Sequence, residues 1–591
     1  MIEVQRHRGP DAQGTRCFEG GGVGHARLAI LDLRPQSNQP FVIDEGDLVL
    51  TYNGEIFNFP ELRAELEALG CRFTTTSDTE VLIKAYREWG PDAVRRFNGM
   101  WAFALYDRKQ DLLFCSRDRF GIKPFHYALH DGQFLFASEA KALLAVRPEL
   151  ASPDFDSLSR FLRAGVGAST RRSFFAGIER LEPGCNLFVT RTGTRLERYW
   201  DYPLDDDGDI TPEDAASRLR ELLVDALRIR LISDVPVGST LSSGVDSSAL
   251  VCLLRTFDQS THETFTAAYP GEAVDEGPRA ARLSAELGMV NHAIVATTDD
   301  FLPLMGKIVH HMDAPNGNPG TLPLWNIMAQ MRTRVTVAIE GQGSDELLAG
   351  YEWANLGPLV ADALRAGRPL EAARQVRCFA SLYGSRRTAL WLGRGVAPTM
   401  HRRFRALRGD EAVYVGPLRG GPDDNPLEGP IPPYRDHLNS MLHRDHATTL
   451  RTLLQRGDAV SMAHSMESRV PFLDHRLVEF AFRLPGRLKA RDGVSKAVLR
   501  DAVRGVVPDD LLAVRPKHGF TTPIQRWFRD EAERCVHPVL LDDRCRARGL
   551  FDPIALKTAL ARHREGRVDL QHQIFRWIGV ETWFQEFIDR P

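Results

Sequence analysis

Val235-Pro236-Val237-Gly238-Ser239-Thr240 runs into Leu241-Ser242-Ser243-Gly244-Val245-Asp246-Ser247-Ser248 and then into Ala249-Leu250-Val251-Cys252-Leu253-Leu254. An apolar, partly β-branched run, a turn of small residues and a second apolar run read as strand, loop and helix. Hydroxyls and one glycine at the start of a helix let backbone N–H groups and serine side chains converge on an anion. Asp246 within that nest implies a cation, because a bare carboxylate repels phosphate. The plainer alternative is a serine-rich turn that caps a helix.

Outward from this loop, strands and helices alternate. Glu263–Ala268 reads as a short strand, Asp275–Gly288 as a helix ending at glycine, and Asn291-His292-Ala293-Ile294 as the start of another strand. Val335–Ile339 is apolar, β-branched and short, as a buried parallel strand should be. The pattern predicts a doubly wound α/β fold with its ligand site beyond the carboxyl ends of the strands. Upstream, Thr211-Pro212-Glu213-Asp214 is a helix start, with a capping hydroxyl, proline at the first helical position and acids in the first turn. Leu219, Leu222, Leu223, Ala226 and Leu227 continue it as a helical stripe.

The chain of 591 residues is 43% hydrophobic and 26% charged with a net charge of −3, which suits a globular protein of several domains. No run approaches the ~20 apolar residues of a membrane span. Eight scattered cysteines without metal-ligand spacing fit reduced thiols in a cytoplasm. Near-neutral charge gives no sign of nucleic acid as a partner. The arginines between 355 and 460 read as solvated helix faces, and Gly416–Pro433 as a Pro/Gly-rich surface excursion.

Residues 1–150 read as a strand-rich layered α/β domain, with helices at Phe59–Ala68 and Asp78–Trp89. Its turns carry His7-Arg8-Gly9-Pro10-Asp11, Gly24-His25-Ala26-Arg27-Leu28-Ala29-Ile30, Tyr52-Asn53-Gly54-Glu55-Ile56, Ser77-Asp78-Thr79-Glu80 and Arg117–Pro124. Later segments of the same specificity are Glu340-Gly341-Gln342-Gly343-Ser344-Asp345, Met466–Asp474 (a turn-like segment between helices), Asp492–Arg500 and Arg515–Phe520.

Together these motifs resemble glutamine-dependent asparagine synthetases and their amidotransferase relatives. Ser242–Ser247 resembles the pyrophosphate loop of ATP pyrophosphatases, and is no Walker A loop because the lysine and its spacing are absent. The resemblance implies a layered αββα-type amidotransferase domain, truncated at its start, over 1–150 and connecting strands over 151–210. A synthetase domain over 211–540 and a C-terminal helical tail over 541–591 follow. It implies that Leu241, Ser242, Ser243, Gly244, Val245, Asp246, Ser247, Ala267, Glu340 and Gly341 bind ATP, with Asp246 and Asp345 on Mg²⁺. Lys496 stabilises charge on the phosphates. Arg27 holds the glutamine α-carboxylate, Asp78 its α-amine, and Asn53 and Gly54 supply oxyanion donors, with Glu55 beside them. Glu467, Arg469 and Asp474 grip a charged substrate.

The family's nucleophile is a cysteine first in the mature chain, whose own α-amine serves as base. This sequence starts at Met1-Ile2-Glu3-Val4 and contains no such residue; Cys17 is internal and follows the His7–Asp11 motif. Two explanations are open: an in-frame start upstream carrying Met-Cys-Gly, or a protein that uses free ammonia. The first is preferred because the glutamine-handling residues are in place.

The reaction this implies activates a carboxylate as an acyl-adenylate with release of pyrophosphate, after which ammonia from glutamine or solution displaces AMP. Aspartate is the expected acceptor. Gln342 stands where asparagine synthetases often have a glutamate, and an amide can orient but not deprotonate. That, and the His311–Gly320 segment, keep open a different carboxylate in secondary metabolism, including lactam formation. A non-catalytic interaction protein is the remaining rival, and a homodimer is left open.

Overall fold

The computed structural model describes residues 1–589 except 166, 168, 169, 206, 273, 274, 296–300, 397–412, 421–433 and 514–523. The Arg515–Phe520 motif and most of the Gly416–Pro433 excursion therefore lie outside the described residues.

Near the N-terminus β1 (Ala12–Phe18) and β2 (Gly21–Arg27) form a two-stranded hairpin. β3 (Phe41–Ile43), β4 (Leu48–Ile56), β5 (Gly99–Asp107) and β6 (Leu112–Arg117) follow, then β7 (His126–His130), β8 (Gln133–Ala137) and β9 (Glu179–Arg180). β10 (Cys185–Thr190) and β11 (Gly193–Arg198) come from the stretch expected to be a joint. They instead complete a six-stranded antiparallel sheet of order β11-β10-β6-β5-β4-β3, because Leu187 and Phe188 pair in register with Cys115 and Phe114.

The Phe59–Ala68 and Asp78–Trp89 helices cover one face of that sheet, burying Leu62, Leu66, Val81 and Leu82 against Leu50, Phe103 and Leu105. The other face packs on a three-stranded sheet β8-β7-β9 through Ala104, Cys115, Phe125 and Tyr127. The Asp78–Trp89 helix starts where the sequence says it should. The Ser77 hydroxyl accepts from the Glu80 N–H, and Glu80 turns back to accept from Thr75 N at 2.6 Å.

The second half is built on a parallel sheet. β12 (Val237–Thr240), β13 (Glu263–Ala268), β14 (Val290–Val295), β15 (Val337–Ile339) and β16 (Glu467–Arg469) lie in the order β14-β13-β12-β15-β16. The order switches direction at β12, so the loop after β12 opens at a topological switch point. Apolar helices flank the strands: Pro212–Arg230 buries the Leu219–Leu227 stripe, and Val245–Phe257 is buried from Val245 to Leu254.

β16 corrects an expectation. Met466–Asp474 read as a turn, yet Glu467, Ser468 and Arg469 pair in parallel with Val337, Ala338 and Ile339. Three residues, two of them charged, carry no alternating pattern, and their charges meet each other and Glu55 of the neighbouring domain rather than water.

The C-terminal helix is no appended tail. Gln571–Phe587 buries Phe575, Trp577, Ile578 and Trp583 in a core shared with Phe161, Phe174, Met305 and Ile308. Among the described residues, no helix is long and apolar enough to cross a membrane. All eight cysteines are free.

Candidate active sites

Two stations emerge, with a wall of ion pairs beside the first. The first is a cavity of about 490 Å³ lined by β2, β4, the middle of β5 and the end of β8, together with Met1 and Ile2. Arg27, Asn53, Gly54, Glu55 and Asp78 all line it, so the structure brings together the residues expected to handle glutamine.

Gly54 has φ +153°, and a Cβ there would stand 2.1 Å from the Met100 carbonyl oxygen, so only glycine allows its backbone this close to β5. The Asp78 carboxylate accepts from the Tyr52 hydroxyl at 2.7 Å and the Ile56 N–H at 3.0 Å. Burial pushes it up to about 6 despite those bonds. His25, on the same wall, is pushed down to about 4 by burial and then by Arg27, and is therefore neutral at pH 7.

Arg27 is engaged otherwise than expected. Its two terminal nitrogens donate to the carbonyls of Leu31, Asp32 and Arg34 and to the Asn38 side chain, at 2.6–3.1 Å. It thus fastens the Leu31–Asn38 loop to the cavity wall, and a ligand carboxylate would have to share those donors. The Cys17 residue borders the cavity from an exposed strand.

Glu467 and Arg469 were expected to grip a charged substrate. Glu467 lines the cavity, and Arg469, fully buried, meets Glu467 at 2.8 Å and Glu55 of the first domain at 3.3 Å. It also donates to the carbonyls of Arg230 and Ile232, at 2.8 and 2.7 Å. Burial, then Asp78, pushes Glu55 well above the carboxylate range, whereas Arg469 pulls it back.

Asp474 sits apart from the cavity. It accepts from Arg230 Nη1 and Asn98 Nδ2, each at 2.9 Å, and from Arg476. It is 1% exposed, and these partners hold it well below the usual carboxylate range against its burial. The grip on substrate expected of it has no opening there; Asn98 and Arg230 make it a brace between the halves.

The second station lies beyond β12 and β15. Ser247 Oγ accepts from the Ser242 N–H at 3.0 Å, Ser242 Oγ from the Gly244 N–H at 3.1 Å, and the helix begins at Val245. Leu241 donates to the Phe265 carbonyl at 2.8 Å, which ties the loop to β13, whose penultimate residue is Ala267. Gly341 lies against Asp246 and Ser247.

Lys496 joins the motifs. Its Nζ contacts Asp246 at 2.5 Å and Asp345 at 2.5 Å and is 2% exposed. Ser344 Oγ donates to Asp246 Oδ1 at 2.8 Å. Residues 246, 345 and 496, far apart in the chain, thus share one point at the mouth of the phosphate loop. Glu340 is buried and accepts from Ser468 Oγ, and burial raises its carboxyl above the ordinary range.

Sequence reasoning passed over Gly350. A Cβ there would stand 1.8 Å from Asp345 Oδ1 and 2.4 Å from Lys496 Cε, so that glycine lets Lys496 reach both acids. It also passed over Asp458, which lies 3.6 Å from the cavity-lining Lys123 of the Arg117–Pro124 motif.

A cavity lined by the residues expected to handle glutamine, and a Ser/Gly loop with a lysine–carboxylate cluster on the same chain, fit an amidotransferase-linked, ATP-dependent carbon–nitrogen ligase. The chain belongs to the asparagine synthase family, whose model matches residues 218–585, and a glutamine amidotransferase domain model matches residues 1–200. It is 31% identical to the glutamine-hydrolysing asparagine synthetase 1 of Bacillus subtilis over 560 residues, 91% of this chain and 86% of that protein. Asparagine synthetase 3 of the same organism is also 31% identical, over 91% of this chain and 88% of its own length. Amidase chyE of Penicillium rubens is 28% identical over 95% of this chain and 90% of its own. Enzymes of this family use ATP to form amides.

Proposed function

We propose that this enzyme converts L-aspartate to L-asparagine, splitting ATP to AMP and pyrophosphate through an aspartyl-adenylate, with nitrogen from glutamine or ammonia. The observation that carries the reading is Lys496 held between Asp246 and Asp345 at the lip of the Ser242–Ser247 loop. The loop N–H groups and serine hydroxyls bind the phosphates. Lys496, a compact cation on a flexible stem, can turn from its two carboxylates to the α-phosphate as negative charge grows there.

Asp246 and Asp345 are hard oxygen donors on one point and would hold Mg²⁺, and their shared contact with a cation shows that the pair accepts positive charge. When bound, that ion neutralises pyrophosphate oxygens. On the glutamine side, Asp78 receives the α-ammonium, and Asn53 with the Gly54 N–H would receive the oxyanion. A cytoplasmic setting suits ATP and the free thiols.

A second reading has its own support. Gln342 cannot accept a proton, and a relative named as an amidase aligns over 95% of the chain. It gives the same chemistry on a different carboxylate. Pyrophosphate release from Mg-ATP, measured with aspartate and ammonium or glutamine against a panel of other carboxylates, decides between them. Aspartate-dependent release with equal AMP and asparagine supports the first reading; release with another acid alone transfers the assignment to that acid.

A further inference from the structure

The turn that presents Lys496 is held in an unfavourable backbone. Asp492, Gly493 and Lys496 have φ of +54°, +76° and +53°, three left-handed residues in five. Arg491 and Val494 close the reverse turn with backbone bonds of 2.8 and 3.1 Å. Such geometry is uphill for aspartate and lysine and persists only where neighbours over-determine it.

Those neighbours come from the Pro369–Tyr383 helix, within the stretch whose sequence carried least functional signal. Gln375, 3% exposed, accepts from the Asp492 N–H at 3.0 Å. Arg374 pairs with the Asp492 carboxylate at 2.8 Å. Tyr383 Oη donates to the Gly493 carbonyl at 3.1 Å. Leu382 Cδ1 lies 2.6 Å from where a Cβ on Gly493 would stand, so the helix also closes the turn sterically. Downstream, Arg500 Nε donates to the Ser495 carbonyl at 3.0 Å and fixes the exit toward Lys496.

We propose that the Pro369–Tyr383 helix is a positioning element for the ligase reaction: Gln375 and Tyr383 hold the Asp492–Gly493 turn so that Lys496 meets the phosphate loop. A relaxed turn would move the root of the lysine stem and with it the 2.5 Å contacts to Asp246 and Asp345. Gln375 and Tyr383 reach the chemistry only through Lys496. The inference rests on the adenylating reading above for its kinetic test, and on the structure alone for its labelling test.

The test is the full-length double variant Gln375→Leu/Tyr383→Phe, with Gln375→Glu as the variant that keeps an acceptor oxygen. Leu370→Ser, at an 86% exposed position on the same helix, is the control. Steady-state pyrophosphate release gives kcat and KM for Mg-ATP. An acyl-phosphate derivative of ATP gives the acylation rate of Lys496 by mass spectrometry and needs no acceptor acid.

The expected result is a fall of about tenfold or more in kcat and in Lys496 acylation for the double variant, with KM for Mg-ATP within about twofold, since ångström misplacement alone is worth up to ~10²-fold. Gln375→Glu should recover most of the loss, and Leu370→Ser should match wild type. The proposal is overturned if kcat and acylation of the double variant stay within about twofold of wild type, or if both fall only in proportion to the folded fraction seen in thermal melts. Should wild type acylate at Lys496 yet release no pyrophosphate with any carboxylate, the adenylating reading fails, and the acylation ratios still decide this one.

Discussion

The glutamine-side cavity and the Lys496 cluster are built in opposite ways from the same materials. The cavity is open space whose charged walls already have partners: Arg27 in carbonyls, Glu467 in Arg469, Asp78 in a tyrosine and an N–H. Lys496 is closed in, and its ion pairs among the described residues are with the two acids that would face metal and phosphate. In the first region a buried charge fixes the shape of an empty space. In the second, the charges stand in for the ligand and must exchange partners when it arrives. Substitutions should therefore separate into effects on folding and effects on turnover.

The largest turnover effect belongs to Lys496→Ala, which should lower pyrophosphate release by at least about 10²–10³-fold, the scale for losing a preorganised donor to transition-state charge. The fold should survive, because Asp246 keeps its hydrogen bond from Ser344. Lys496→Arg should not rescue it: Gly350 leaves room for a slender stem, not for a planar fork. An unchanged rate in Lys496→Ala would remove the cluster from the chemistry.

The largest stability effect belongs to Asp474→Ala. It leaves Arg230, 1% exposed, without its carboxylate, and breaking such a pair from one side costs roughly 3–5 kcal/mol. Urea titration should show that loss, with KM for the acceptor unchanged in the protein that remains folded. The reverse pattern, normal stability with a raised KM, would return Asp474 to substrate binding.

This separation explains how much could be read from the sequence. The β12–loop–helix unit was legible because local chemistry is dense there: a β-branched strand, hydroxyls and an apolar helix within about twenty residues. So was the Asp78–Trp89 helix, whose start is written in Ser77 and Glu80. What was not legible depends on distant partners. Glu467 and Arg469 carry the right residue types, but nothing local says that they form an edge strand facing Glu55, some 400 positions earlier in the chain. Arg27 was matched to a task, while the loop carbonyls that occupy it could be found only in three dimensions. The Pro369–Tyr383 helix shows the same limit, since its function lies entirely in contacts with Asp492 and Gly493.

A smaller effect sharpens the cavity side. Burial has pushed Asp78 up to about 6, so an α-ammonium should bind less well as pH falls below that value. At one unit below it about a tenth of the carboxylate is ionised, so glutamine affinity at pH 5 should be weaker than at pH 7.5 by about tenfold. Asp78→Asn should flatten the profile, measured by calorimetry. For folding the sign is opposite. The folded group takes its proton at a higher pH than the unfolded one, near 3.9, so its contribution to stability declines as pH rises from about 4 to 6. A pH-independent glutamine affinity would show that Asp78 shapes the cavity without touching the amine.

The smallest effect is expected at Gln342, and its direction matters more than its size. Gln342→Glu supplies a carboxylate that can take a proton from the attacking nitrogen, which the amide cannot. It also adds negative charge two residues along the chain from Glu340, whose ionisation burial already resists. The two effects oppose each other, so the ammonia-dependent rate should rise on the order of threefold, well short of the roughly 10²–10⁴ of an ideally placed base. The acid limb of its pH profile should move with it. If the rate with aspartate falls instead, the Gln342 amide is orienting the acyl-adenylate by hydrogen bonds, and the lysine–carboxylate cluster works beside a recognition residue fitted to the acceptor this chain uses.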